Sequence, residues 1–334
     1  MEFDLAFIWA GLIAFAVLTY VILDGFDLGV GILFPFAGSE SDRDTAMNSV
    51  APVWDGNETW LVLGGGGLFA VFPLAYAVVM PALYMPITLM LLGLVFRGVA
   101  FEYRWKTRRW KPVWDVAFVG GSLVAALCQG IALGALVQGI EVADRAYAGG
   151  WWDWLTPFSV LTGVAVVTGY ALLGATWLVM KTDGDLQRRM RRRAGPLALA
   201  TLALIGAVSL LTPFQDPVYF ERWFGFPAAL YSAFVPVMLF FAAMYLFRGL
   251  LSHSDHAPFL ASLALFVISF VGIGISFYPM MVPPALTIQA AAAPDSSLAF
   301  ALVGALILVP FIVVYTGYAY WVFRGKVRPG EGYH

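Results

Sequence analysis

The sequence predicts an all-α polytopic membrane protein with nine transmembrane helices, arranged as two four-helix bundles plus one peripheral helix. Three observations carry that prediction. Hydrophobic residues make up 61% of the 334-residue chain and charged residues only 12%, whereas a soluble domain carries about a quarter charged residues. Apolar runs of roughly 18 residues or more recur along the whole length, each able to cross a ~30 Å hydrocarbon core. Lysine and arginine are gathered into a few connections between those runs. With a net charge of only -2, this clustering leaves nucleic-acid binding without support. The mean hydropathy of +0.82 agrees.

The first span covers 5–36 and ends at Pro35 and Gly38. As one helix it would be about 48 Å long at 1.5 Å per residue, so it must tilt, project beyond the membrane or bend near Gly25. The N-terminal MEFDLAF has no basic segment before its apolar run, so no cleavable signal peptide is expected. The second span, 52–73, is opened by Pro52 in the tolerated first turn and closed by Pro73. The remaining spans are 76–101, 114–139, 158–180, 196–213, 227–250, 258–279 and 297–323, with Pro112, Pro157, Pro196, Pro227, Pro258 and Pro294 near their starts. The stretch YPMMVPP, 278–284, reads as a turn. Three units follow: 1–139 as a first bundle, 140–280 as a second, and 281–334 as the ninth helix with a cytoplasmic tail. A weak internal echo, TYVILDGFDLG against TGYALLGATWL, aligns Tyr20 with Tyr170.

Charge sets the orientation. With the N-terminus outside, 17 of the 19 lysines and arginines fall in inside segments, leaving Arg145 and Arg222 outside. The C-terminus, with Arg324, Lys326 and Arg328, is then cytoplasmic under the positive-inside rule. Trp151, Trp152, Trp154, Tyr219 and Trp223 in the outside connections suit an aromatic belt.

Acids inside apolar runs are the main clue to function. Asp24 and Asp27 in LDGFDLG, and Asp55 and Glu58 in VWDGNE, are each three residues apart on one helix face. Arg97 and Glu102 stand at the inner end of the third span. All six fall in the inner third of the membrane. Asp55 and Glu58 can serve simply as dipole-complementing residues at a helix start, with Arg97 as charge partner. As a set, however, the acids exceed the one internal cation, and such a cluster can take up and pass on protons. Four consecutive glycines, Gly64 to Gly67, admit a close neighbour: another helix, a flat cofactor or a lipid-like ligand. His253 and His256 sit in a short connection and His334 at the end, so no histidine stands deep in a span and a haem held by this chain alone is not expected. The lone Cys128 excludes disulfides within one chain. By itself the chain does not look like a catalyst.

LDGFDLGVGILFPF, MNSVAPVWDGNETWLVLGGG, LVFRGVAFEYRWK and LILVPFIVVYTGYAYWVF together resemble subunit II of the bacterial cytochrome bd-type quinol oxidases. The chain's relatively short length is more like the cyanide-insensitive branch. The resemblance implies a multi-pass subunit of the bacterial inner membrane that pairs with a similar subunit I. That partner is expected to hold two b-type haems, one d-type haem and the quinol-oxidising loop, and this chain none of them. The complex would oxidise quinol, reduce oxygen to water and draw its protons from the cytoplasm, generating a proton-motive force. Carried over by position, Asp27, Trp54, Asp55 and Glu102 match the family's proposed proton path; Asp24 and Glu58 join it on depth and spacing. Asp55 is the leading candidate, with Trp54 as packing support. A structural quinone, small single-helix accessory subunits and membrane lipids remain open as partners. The rival readings are a purely structural partner of subunit I and a stand-alone proton-coupled transporter.

Overall fold

The structure is a computed structural model and describes residues 4–327. The acidic first residues, Arg328 and His334 lie outside the described residues. Helix α1, Leu5–Leu33, starts on the Asp4 side chain, which accepts from the Phe7 amide. It runs as one helix through Gly25 without a break. A 3-10 turn, Phe34–Phe36, follows, and Gly38 takes the φ of +108° that the turn away from the span requires. The short α2, Glu40–Asn48, is opened by a Ser39–Asp42 capping box and was not expected from the sequence.

Helix α3, Trp54–Val71, is followed directly by α4, Pro73–Ala82, and α5, Tyr84–Lys106. The expected third span at 76–101 is thus corrected: the chain breaks at Leu83, between Pro81 and Pro86. Pro73 opens α4 rather than closing a span. Helix α6 covers Lys111–Gln138, and α7 covers Pro157–Lys181 behind a Thr156–Ser159 capping box. Between them Val142–Ala143 (β1) pairs with Ala146–Tyr147 (β2). Helix α8, Gly184–Leu211, holds Pro196 in its interior, so the proline does not start the span as expected. The basic run 188–193 lies on its first turns, because arginine is a good helix former and one proline removes only one helix bond.

Helix α9, Pro217–Phe224, α10, Ala228–Ser232, and α11, Phe234–Leu251, come next, followed by α12, Ala257–Phe277. The YPMMVPP stretch forms a hairpin of Met280–Val282 (β3) with Leu286–Thr287 (β4). Helices α13, Ile288–Ala291, and α14, Asp295–Val322, complete the chain.

Among the described residues, eight helical segments are long and apolar enough to cross a membrane. The expected second span is α3, made less apolar by Asp55, Asn57 and Glu58 within its first two turns. The lysines and arginines of α2, α5, α6 and α8 mark one end of the molecule, called here the basic end; β1 to β4 and α9 lie at the other, aromatic end.

The centre is the crossing of α1 and α7. A Cβ on Gly29 would strike the Tyr170 carbonyl, and one on Gly174 would strike the Gly29 backbone. Two glycines therefore allow backbone contact, the usual means of close packing between membrane helices. One buried core runs from Phe26, Val30 and Phe34 through Phe101 and Phe118 to Leu172, Trp177 and Leu265. Gly67 and Gly64 give room to Ile13 and Val17 of α1, while Gly65 and Gly66 face open space. Helix α14 is the exception, with only 6% of its most apolar stretch buried. It is tied near each end: Trp9 Nε1 donates to Leu298 O at 3.0 Å, and Tyr320 reaches α3.

Candidate functional site

Asp24 and Asp27 lie on the face of α1 turned toward α3 and α5, and both are fully buried. Arg97 of α5 reaches them from the facing side. Its position is fixed by a close α5–α6 crossing one turn away, where a Cβ on Gly93 would come within 2.8 Å of the Gly121 carbonyl. Arg97 Nη1 donates to Asp24 Oδ1 at 2.6 Å and stands 3.6 Å from Glu58 Oε1. Its Nη2 is 4.0 Å from Asp27 Oδ2. One guanidinium thus faces three carboxyls, two of them on one helix face.

Asp27 is held from the other side. Asn57 Nδ2 of α3 donates to Asp27 Oδ2 at 2.7 Å, and Tyr320 of α14 donates its hydroxyl to Asn57 Oδ1 at 2.8 Å. Asp24 continues outward along α1 to Tyr20, which receives a hydrogen bond from Gln129 Nε2 at 2.8 Å. Tyr170 donates to Gln129 Oε1, also at 2.8 Å. The two tyrosines aligned in the sequence echo therefore meet on one glutamine.

Asp24 Oδ2, Asp27 Oδ1, Glu58 Oε1, Arg97 Nε and Arg97 Nη2 are buried and make no hydrogen bond within the chain. Most buried polar groups in proteins are hydrogen-bonded, so five such atoms in one cluster set it apart from the packed core around it. Glu58 is the cluster acid with a partly exposed side chain, at 24%.

Trp54 stacks on Phe101 at 4.7 Å with planes 6° apart, and Arg97 lies 6.0 Å over the same Phe101 ring. Gly98 leaves the Trp54 ring its space. The structure therefore gathers Asp24, Asp27, Glu58 and Arg97, with Trp54 as packing support. It does not bring Asp55 or Glu102 to them. Asp55 is on the exposed flank of α3, and Glu102 makes an exposed i,i+4 pair with Lys106 at 3.3 Å.

Sequence reasoning missed Asn57, Tyr320, Tyr20, Gln129 and Tyr170. It also counted Arg104 as a connection charge, whereas the side chain is buried. Arg104 binds Asp44 at 2.7 Å and Asp115 at 2.5 Å and lies 5.2 Å over the Phe34 ring. Arg43 reaches Asp115 at 3.4 Å, and Lys111 reaches Asp44 at 3.3 Å. Lys111 also hydrogen-bonds Glu40 and holds that exposed carboxyl below its usual range. This second cluster ties α2 to α5 and α6 at the basic end.

Among the described residues, His253 and His256 are exposed in the connection between α11 and α12, and the buried cluster is made of carboxyls and a guanidinium.

The chain is similar to known proteins both in sequence and in fold. The family profile described as "Cytochrome bd terminal oxidase subunit II" matches residues 5–323. The chain is 32% identical to "Cytochrome bd-I ubiquinol oxidase subunit 2" of Escherichia coli (strain K12), covering 97% of this chain and 95% of that protein. It is 30% identical to "Cytochrome bd ubiquinol oxidase subunit 2" of Bacillus subtilis (strain 168), covering 97% of each. Among solved structures, a bd oxidase chain from Geobacillus thermodenitrificans superposes with a TM-score of 0.75. That match covers 94% of this chain and 98% of the other at 19% identity, and it speaks for the fold.

Proposed function

The chain belongs to the cytochrome bd terminal oxidase subunit II family, and we propose that within a bd-type quinol oxidase it carries part of the proton-uptake route. The observation that carries this reading is the buried cluster, with three carboxyls on one guanidinium and Glu58 partly exposed. A purely structural ion pair would need one acid. Here surplus carboxyl oxygens stand without partners next to the paired ones, which is what successive uptake and release of a proton requires.

In the proposed arrangement α3 completes nine crossings, grouped as two four-helix bundles with α14 peripheral. The basic end faces the cytoplasm and the N-terminus lies outside, as the positive-inside bias supports. The partner is a haem-bearing subunit I, which supplies the oxygen chemistry; no step is routed through a haem on this chain. Here Glu58 receives the proton from the inner side, and Arg97 keeps Asp24 and Asp27 oriented toward it. Asn57 and Tyr320 hold Asp27 in register. Asp55 and Glu102 belong to the route as outer stations on the exposed surface, where a partner subunit can reach them. Each charge taken across 100 mV stores about 2.3 kcal/mol, so uptake from one side suffices to generate voltage.

The test is quinol-driven oxygen consumption by the purified complex, measured together with its haem spectrum. Glu58→Gln, Asp24→Asn and Asp55→Asn are expected to keep the haem spectrum and lose turnover. Normal turnover in Glu58→Gln and Asp24→Asn would leave subunit II as a structural partner and end the proton-route reading. Proton-coupled transport by this chain without its partner would instead favour the transporter.

A further inference from the structure

At the aromatic end a groove of about 660 Å³ opens between α1, α10 and α12. Phe15 and Leu18 of α1, Tyr231 of α10, and Val271 and Gly274 of α12 make its walls, which are almost wholly apolar. A Cβ on Gly274 would meet nothing within 4 Å, so the groove is empty of protein at that point. Its one charged lining residue is Arg222.

Arg222 stands on α9, an eight-residue helix with Val218, Phe220 and Phe224 exposed and Tyr219 buried. A short amphipathic helix of this kind lies in the plane of the membrane interface. Its place is fixed by Trp223 Nε1, which donates to Ser276 Oγ at 2.8 Å. Arg222 Nη1 donates to the carbonyls of Ile275 and Ser276, at 3.0 and 2.6 Å, in the last turn of α12. The guanidinium is therefore pinned where α12 leaves the membrane. Among the described residues no acid lies within ion-pair distance of it. A fixed cation without a counterion stands at interfacial depth, with an apolar slot beside it.

We propose that this groove binds one membrane phospholipid, with an acyl chain along α1 and α12 and the phosphodiester on Arg222. Charge complementarity selects this occupant. A phospholipid joins an anion to an apolar chain in the order in which the groove presents cation and apolar wall, and arginine matches phosphate oxygens with its planar fork. A further transmembrane helix of apolar residues brings no anion to Arg222. The site is separate from the ion cluster and does not depend on the proton-route reading.

The experiment is native mass spectrometry of the purified complex after detergent exchange, with lipid extraction to identify what is retained. The wild type is expected to keep one phospholipid that Gly274→Leu loses, since a Cβ there meets no protein atom within 4 Å and the leucine extends into the slot. Arg222→Gln is expected to retain about tenfold less, the order of one charge-assisted contact, while Arg222→Lys retains more than Arg222→Gln. An unchanged haem spectrum and turnover control for folding. Retention unaffected by Gly274→Leu would overturn the proposal even if Arg222→Gln fails to fold. So would a quinone, or no bound lipid, in the wild type.

Discussion

Replacing Arg97 by methionine removes the cation that Asp24, Asp27 and Glu58 share while keeping an apolar stem of similar length. The pair with Asp24 is closest, at 2.6 Å, and both side chains are fully buried. Removing one partner of a buried pair costs about 3–5 kcal/mol, because the other charge is left uncompensated. Two carboxyls would then share a dry face of α1 with only Asn57 as a donor to Asp27. Adding Asp24→Asn removes one of those stranded acids, so the double variant is expected to recover about 1–3 kcal/mol of the loss. At about 2 °C per kcal/mol for a chain of this size, Arg97→Met lowers the melting temperature by roughly 6–10 °C and the double variant by several degrees less. Thermal unfolding of the detergent-solubilised complex, followed by tryptophan fluorescence, reads both. If single and double variants melt together, Arg97 is not held by charge, and the account of the cluster fails.

Three further outcomes follow from particular contacts. Tyr320→Phe severs the bond to Asn57 and is expected to cost about 0.5–1.5 kcal/mol, with turnover falling less than in Asp27→Asn; equal or greater loss of oxygen uptake would mean the hydroxyl itself carries protons. Gly174→Ala pushes α7 away from α1 and is expected to cost about 1–3 kcal/mol, whereas Gly65→Ala, with open space at its Cβ, is expected to be neutral or to gain up to about 1 kcal/mol in the isolated chain; melting curves in the reverse order would refute the crossing described above. Arg104→Met leaves Asp44 and Asp115 at 30% and 19% side-chain exposure, so water takes over part of the lost pairing, and its melting temperature should fall less than that of Arg97→Met.

Much of the fold was legible because apolar runs bounded by prolines give membrane helices directly. The failures have local causes. The break at Leu83 lies inside a continuous apolar run, where hydropathy is blind and only Pro81 and Pro86 mark it. The start of α8 was hidden because its arginines read as a connection, although they extend the helix past the membrane edge. In the site, Asp24, Asp27, Glu58 and Arg97 stood out as charges in apolar surroundings. Asp55 and Glu58 looked equivalent at three-residue spacing, yet the rotation of α3 turns Asn57, Glu58 and Trp60 inward and leaves Asp55 and Thr59 outside. That rotation is set by tertiary packing, which spacing cannot supply. Asn57 and Tyr320 carry no charge and lie 263 residues apart, so nothing in the sequence joined them.

That separation bears on how the chain is made. Helix α14 is the most apolar of the described spans and buries the least of itself, so it can enter the bilayer without waiting for neighbours. Tyr320 sits near its end, and Asn57 obtains this partner only after a further 263 residues have been synthesised. Until then Asp27 rests on an amide with one side unfilled. The order of translation thus makes α14 the latch of the buried cluster: a chain that stops short of it, or inserts only in part, would hold the acids without this support.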